Sequence, residues 1–410
     1  MRFIKISFLL LLLAPVLFAG CATVPGKQVD DQVAPLMAPQ EFGNHELLDV
    51  SIKVFDPGEL PEKADEQAGL SLEIREAEAR FIPIHLKYSM QRTGYWGAVR
   101  IVPDDDIGAE VQVGGKIEFS DGESLVLTVE ALDSRNVLWF KKTYAETALL
   151  NEHLGTEPEK EDTFQDLFNK IANDLTEYRN RLTPDDMLEI QRVAELRYGQ
   201  LMAPDVYGQY LSSDNNNRLH IVHLPAENDL MMERVRSIRS RDNMLIDTIN
   251  GYYEAYYLDL WEPYANWRQF RSEEIATMRE IKREALKRKI IGAAAIIGAI
   301  AVGATIDDNS AATDTLQQVM VVGGAYSIYS GFQKSQEVTI NKEVIEELGV
   351  SFSSEAEPLV VEVEGETFRL TGSAEEQYAE WREILKQIYA RETGLVSDEA
   401  IPDQSSSALP

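Results

Sequence analysis

The chain has 410 residues, 44% of them hydrophobic, enough to bury a sizeable core and to build two or three domains. With 39 basic against 69 acidic residues its formal net charge is −30, which argues against nucleic acid as a partner and leaves no general basic attraction to anionic headgroups. Cys21 is the only cysteine, so no intramolecular disulfide can form.

Arg2 and Lys5 precede an apolar run from Ile6 to Phe18, and the small residues Ala19 and Gly20 stand just before Cys21. This is the layout of a secretory signal peptide: the run is short for a bilayer span, and polar Ala22-Thr23-Val24-Pro25-Gly26-Lys27 follows it instead of a stop-transfer pattern. Leu17-Phe18-Ala19-Gly20-Cys21 resembles the lipobox of bacterial lipoproteins, with Phe18 where that family usually has Leu. The resemblance implies cleavage before Cys21 and diacylglycerol on its thiol. Several acyl chains, at about 0.8 kcal/mol per buried methylene, would then anchor the protein permanently. Ala22, in place of the Asp that commonly keeps such lipoproteins at the inner membrane, implies the periplasmic face of the outer membrane. The other reading of these residues is an ordinary signal peptide that leaves a free thiol.

Residues 1–20 are thus read as signal peptide and 21–45 as a lipidated tether, since Pro25, Gly26, Pro35, Pro39 and Gly43 punctuate a stretch with little apolar periodicity. Residues 46–182 read as an α/β module. Leu47 to Val54 predicts a strand, Leu72 to Met90 a helix kinked at Pro83, and Ala98 to Val102 a short strand. Ala109 to Phe119, Leu125 to Leu132 and Val137 to Tyr144 then form three strands joined by the turn signals Asp121-Gly122 and Asp133-Ser134-Arg135-Asn136, an antiparallel meander with one wet face. Phe164, Leu167, Phe168, Ile171, Leu175 and Tyr178 predict a covering helix.

This element order, with Gln91-Arg92-Thr93-Gly94-Tyr95-Trp96-Gly97-Ala98-Val99-Arg100, Ser120-Asp121-Gly122 and Trp139-Phe140, resembles the small domains of envelope assembly and transport-auxiliary lipoproteins and the amino-terminal domain of TolB. The resemblance covers about a quarter of the chain and implies a non-enzymatic envelope role.

Residues 183–289 read as a helical domain. Pro184 opens a first helix, Leu219 to Leu224 predicts a short strand, and Pro225 opens a long helix kinked at Pro263. Tyr252, Tyr253, Tyr256, Tyr257, Trp261, Tyr264, Trp267 and Phe270 recur on its neighbouring turns, as core packing or as a membrane-interface belt.

Residues 290–333 read as an apolar helical hairpin whose arms run Ile290 to Ile306 and Val319 to Phe332. Gly292, Ala294, Gly298, Ala299 and Gly303 in one arm, and Gly323, Ser327 and Gly331 in the other, are small residues spaced to let two helix backbones approach, and are the candidate membrane or oligomer contacts. The hairpin is read as packed in protein or an oligomer, as inserted in a membrane, or as a pliable alanine-glycine segment. Residues 334–395 predict a helix, a β-hairpin around Glu364-Gly365-Glu366 and a last helix, and 396–410 an unstructured tail.

No phosphate-binding glycine loop, His-Glu-x-x-His motif or Gly-x-Ser-x-Gly elbow occurs, and His220-Ile221-Val222-His223 would send its imidazoles to opposite strand faces. No catalytic residue, metal ligand or cofactor is therefore assigned. The expected fold class is α+β, a small α/β sheet module followed by a mostly helical half with an apolar hairpin. The expected role is structural or assembly work in the envelope, with a membrane, an envelope protein or further copies of the chain as partners. An oligomeric membrane-inserting component is the alternative, and an envelope hydrolase comes third.

Overall fold

The computed structural model describes residues 27–28, 32–61, 70–103, 108–148, 162–301, 339–352, 359–363 and 366–394. Cys21, the acidic run Asp104-Asp105-Asp106, the hairpin from residue 302 onward and the tail from 396 lie outside them.

The fold is α+β. Strand β1 is only Lys27–Gln28. After it come β2 (Val50–Lys53), α1 (Leu72–Thr93), β3 (Val99–Val102), β4 (Val111–Ser120), β5 (Ser124–Asp133) and β6 (Leu138–Thr147), forming one sheet in the order β1-β6-β5-β4-β2-β3. β2 runs parallel to β3 and β4, while β4, β5 and β6 form the antiparallel meander. Its first turn closes because the Asp121 carboxylate accepts from the backbone amides of Glu123 (3.0 Å) and Ser124 (2.8 Å), with Gly122 at φ +93°. Leu125, Leu127, Val129 and Ala131 enter the core beneath α1 and α2 (Gln165–Arg179), whereas Thr128 and Glu130, of opposite parity, stay half-exposed.

Pro83 lies inside α1 and is buried. It lacks the amide that would bond Ala79 O one turn back, and that carbonyl accepts instead from Phe55 N at 2.9 Å, just past β2. The proline therefore joins helix to sheet. Phe55 also explains Gly115, where a Cβ would sit 2.3 Å from the Phe55 ring. Gly115→Ala should destabilise the protein by about 1–3 kcal/mol in urea unfolding, and Phe55→Leu in the same chain should restore part of the loss.

The stretch expected as a tether is docked over residues 32–38, laid along α2 by hydrogen bonds to Asp166, Asn169 and Asn173. Such bonds use the backbone and leave no mark on apolar periodicity.

The helical half begins at α3 (Pro184–Met202), where Thr183 and Asp186 form a capping box. A short α4 (Pro204–Tyr207) and the hairpin β7 (Leu211–Ser213) with β8 (Leu219–Ile221) lead to α5 (Leu230–Ala301), 72 residues long and about 108 Å at 1.5 Å per residue. α5 starts at Leu230 and not at Pro225, because the Asp229 carboxylate accepts from the amides of Met231 (2.9 Å) and Met232 (3.1 Å). A helical stretch at 339–352, the antiparallel pair β9 (Leu359–Val363) and β10 (Glu366–Leu370), and α6 (Ala374–Thr393) complete the described chain. The two halves share one hydrophobic core, from Leu48 to Tyr389.

Candidate functional site

The candidate site is the seam along which α5 is fastened to the α/β module, together with the shaft into which that helix continues. It starts at the module's edge strand. Asn250 presents its side-chain amide to β3 as another strand would, accepting from Ile101 N and donating to Ile101 O, both at 2.8 Å. The backbone groups of an exposed strand edge are thereby satisfied. Lys87 donates to Asn250 (3.1 Å) and to Glu254 (2.7 Å), and Arg100 grips Asp247 at 2.7 Å.

Next along α5 comes the aromatic stripe, which is core packing. Tyr257, Trp261 and Tyr264 surround Phe81 of α1 with ring centroids 4.6, 5.8 and 4.9 Å away, while Tyr253 and Tyr256 pack on Phe352. His85 Nδ1 accepts from the Tyr257 hydroxyl (2.8 Å) and its Nε2 donates to Gln165 Oε1 (2.9 Å). Burial lowers the imidazole pKa, and this bonding pattern is that of the neutral ring.

At the far end of the stripe the seam turns ionic. Arg268 makes a bidentate pair with Asp162 (2.9 and 2.7 Å), both side chains almost wholly buried. Burial alone would raise the Asp162 pKa, but the guanidinium outweighs it and carries the carboxyl down to about 2. Beside them Glu78, fully buried, accepts from Ser120 (2.5 Å) and Tyr264 (2.7 Å). Burial raises its pKa against the opposing pull of Arg75.

Beyond Ser272 the helix leaves the body. Gly122 packs on the Arg271 side chain, Arg279 reaches Glu123, and residues 277–281 are exposed. From Ser272 to Ala301 the helix runs on for roughly 40 Å along its axis. Gly292, Ala294, Gly298 and Ala299 lie on this part of α5, where helical spacing stacks Ala294 and Gly298 along one face. Gly303, Gly323, Ser327 and Gly331 lie outside the described residues, as does Cys21. Among the described residues no helix is long and apolar enough to cross a membrane, and no three His, Cys, Asp or Glu side chains are grouped to hold a metal. His220 and His223 are not brought together: His220 faces Asp214 at 3.3 Å and His223 packs on Tyr210.

Hollows open on the surface, two of them beside charged residues. One, of about 580 Å³ on the wet face of the sheet, is lined by Lys53, Lys116 and Lys141 and by Asp56, Glu118 and Glu130, so its charges alternate and favour no ion sign. The other, of about 360 Å³, lies between α1 and 339–352 and is lined by Glu73, Glu76, Arg80 and Glu346.

Glu110, whose carboxyl is strongly displaced, lines neither of these hollows. Burial and the nearby Asp49 charge push it up to about 7, against a hydrogen bond from Asp49 N and the charge of Arg239. A raised carboxyl pKa stabilises the fold while protonated, so this contribution is complete below about 4.5 and lost as pH rises through about 7. Glu110→Gln should therefore match the parent near pH 4.5 and exceed its stability by about 2 kcal/mol above pH 7. Urea unfolding across that interval reads the difference.

Sequence reasoning missed the ionic part of the seam. Its signal was Arg268 itself, which continues the spacing of Tyr257, Trp261 and Tyr264 and so places a cation on an apolar stripe. No protein family, curated protein or solved structure matches the chain.

Proposed function

We propose that this chain is a lipid-anchored outer-membrane protein that works as a non-enzymatic structural or assembly component of the envelope. The observation that carries this reading is the course of α5, fastened by aromatic and ionic contacts from Asp247 to the buried Arg268 and then exposed over residues 277–281, where Arg279 still reaches Glu123. A helix so firmly rooted over one stretch and exposed just past it, over residues 277–281, suits contact with something beyond the body. The charged groups of the seam, by contrast, are spent on one another, Arg268 and Asp162 inside the core and Asp247 and Glu254 at its margin, which suits structure better than turnover.

The membrane-inserting reading keeps one specific support: α5 remains helical into the apolar run that begins at Ile290, just after the basic residues Lys287, Arg288 and Lys289. Crosslinking of the lipidated protein in intact cells, with and without residues 290–332, separates the readings. Discrete protein partners that vanish with the deletion support assembly through the shaft. Crosslinks only to lipid in that region support insertion, and partners unaffected by the deletion move binding to the α/β module. Cys21→Ser should leave the chain unprocessed and free of acyl chains, and membrane-held, processed protein in that variant would overturn the anchor.

A further inference from the structure

We infer that the body is held close against the membrane that carries its lipid, with the outer edge of β6 toward the headgroups, and that residues 32–38 act as the strap that keeps it there. This rests on the lipid-anchor reading above.

Gln32 N and Val33 N donate to the two carboxylate oxygens of Asp166 (2.7 and 2.8 Å). Asn169 donates to Val33 O (2.8 Å), and Asn173 donates to Ala34 O (2.9 Å) while accepting from Leu36 N (2.7 Å). Ala38 N ends the run on Thr93 O at 2.8 Å. Three side chains of α2, at positions 166, 169 and 173, thus occupy one helix face and read an extended backbone. Asn169 and Asn173 are buried, so losing the strap would strand their amides. The strap's own Leu36 and Met37 stay exposed while Val33 and Ala38 pack partly against the core, so its docking combines backbone hydrogen bonds with these two side chains.

Upstream, Lys27 and Gln28 pair in parallel with Tyr144 and Ala145 of β6, which fixes the chain from Lys27 onward. Five residues separate Cys21 from Lys27, and those six Cα–Cα steps cannot span more than about 20 Å. Were residues 22–43 an undocked coil, the same anchor would allow excursions of up to about 70 Å and any orientation.

Within the shorter radius lies the part of the β6 edge that β1 leaves unpaired, where Leu138, Lys141 and Lys142 are all at least half-exposed. Lys141 and Lys142 pair with Glu130 (2.9 Å) and Asp174 (2.8 Å), so this stretch is charge-balanced and repels a phosphate-bearing surface less than the acidic remainder of a chain of net charge −30.

The sole natural cysteine is consumed by the lipid, so a single introduced cysteine can be labelled without background. The full lipidated protein, carrying a donor dye at Leu138→Cys, at Lys141→Cys or at Glu383→Cys on α6, would be placed in vesicles of phosphatidylethanolamine and phosphatidylglycerol containing a headgroup acceptor. Energy transfer should be severalfold stronger at positions 138 and 141 than at 383. It should fall by at least half at 138 when Asn169→Ala and Asn173→Ala release the strap. A flexible insertion of twenty residues between Gly26 and Lys27 should do the same with α2 untouched, which keeps the test valid if the double variant folds poorly. Equal transfer at all three positions, or no loss with the insertion, in protein whose mass shows acylation would overturn the inference while sparing the anchor. Protein without acyl chains would instead overturn the anchor, and greater protease sensitivity at 32–38 in the double variant would still report the strap.

Discussion

Arg268→Met should lower stability by about 3–5 kcal/mol near neutral pH, because it leaves Asp162 ionised in the core with the amide of Phe164 as its remaining close donor. The guanidinium also lies 4.3 Å from the Tyr264 ring centroid and 5.5 Å from that of Phe164, so the loss combines charge with stacking. Two controls separate these parts. Replacing both partners, Asp162→Leu with Arg268→Met, should cost less than the single change, since a buried pair exchanged for apolar groups leaves no stranded charge. The pH dependence has a defined sign. The Asp162 pKa is depressed from 3.8 to about 2, so its contribution is present above about 3.8 and lost as pH falls through about 2. The deficit of the single variant should shrink over that interval. Urea unfolding followed by circular dichroism reads all three, and a single variant no weaker than the double would remove the ionic lock from the account of the seam.

Phe81→Ala should cost a comparable 3–5 kcal/mol, by a different route. Phe81 sits where α1 meets Tyr257, Trp261 and Tyr264, and truncation opens a void that three large rings, each locked by its own neighbours, cannot refill. The damage should be local to the junction. Amides of α5 between about Asn250 and Arg268 should lose hydrogen-exchange protection more than those of β5 and β6. Leu258→Ala, on the exposed side of the same helix, should change stability by no more than about 0.5 kcal/mol. Uniform loss of protection across sheet and helix would mean that Phe81 supports the whole core and not the seam.

Much of this architecture was legible in the residues. Asp121-Gly122 and the run from Asp133 to Asn136 marked the meander turns because their side chains and backbone freedom form turns locally. The aromatic spacing in α5 announced a buried stripe, and Thr183-Pro184 announced a helix start. What stayed hidden depends on partners distant in sequence. Asn250 looks like any polar residue of a helix until β3 is laid beside it, and Pro83 reads as a kink until Phe55 arrives to use the carbonyl it frees. The docking of 32–38 was equally invisible, because a strap held largely by its backbone can have almost any sequence. Of the expected site residues, those on α5 share a helix leaving the body, which follows from local periodicity. The ionic lock that roots that helix joins Asp162 to Arg268 across a long stretch of chain, and no spacing rule reaches so far.

The fastening of α5 has a mechanical corollary. Its attachments to the α/β module, Asp247, Asn250, Glu254, Tyr257, Tyr264 and Arg268, are strung along the helix axis. A force applied along that axis at the distal end is therefore met in shear, with many attachments loaded together, whereas a sideways force would peel them apart one after another from the Arg268 end. The protein should resist pulling along the rod far better than prying across it, a directional strength that comes from the order of contacts along one helix.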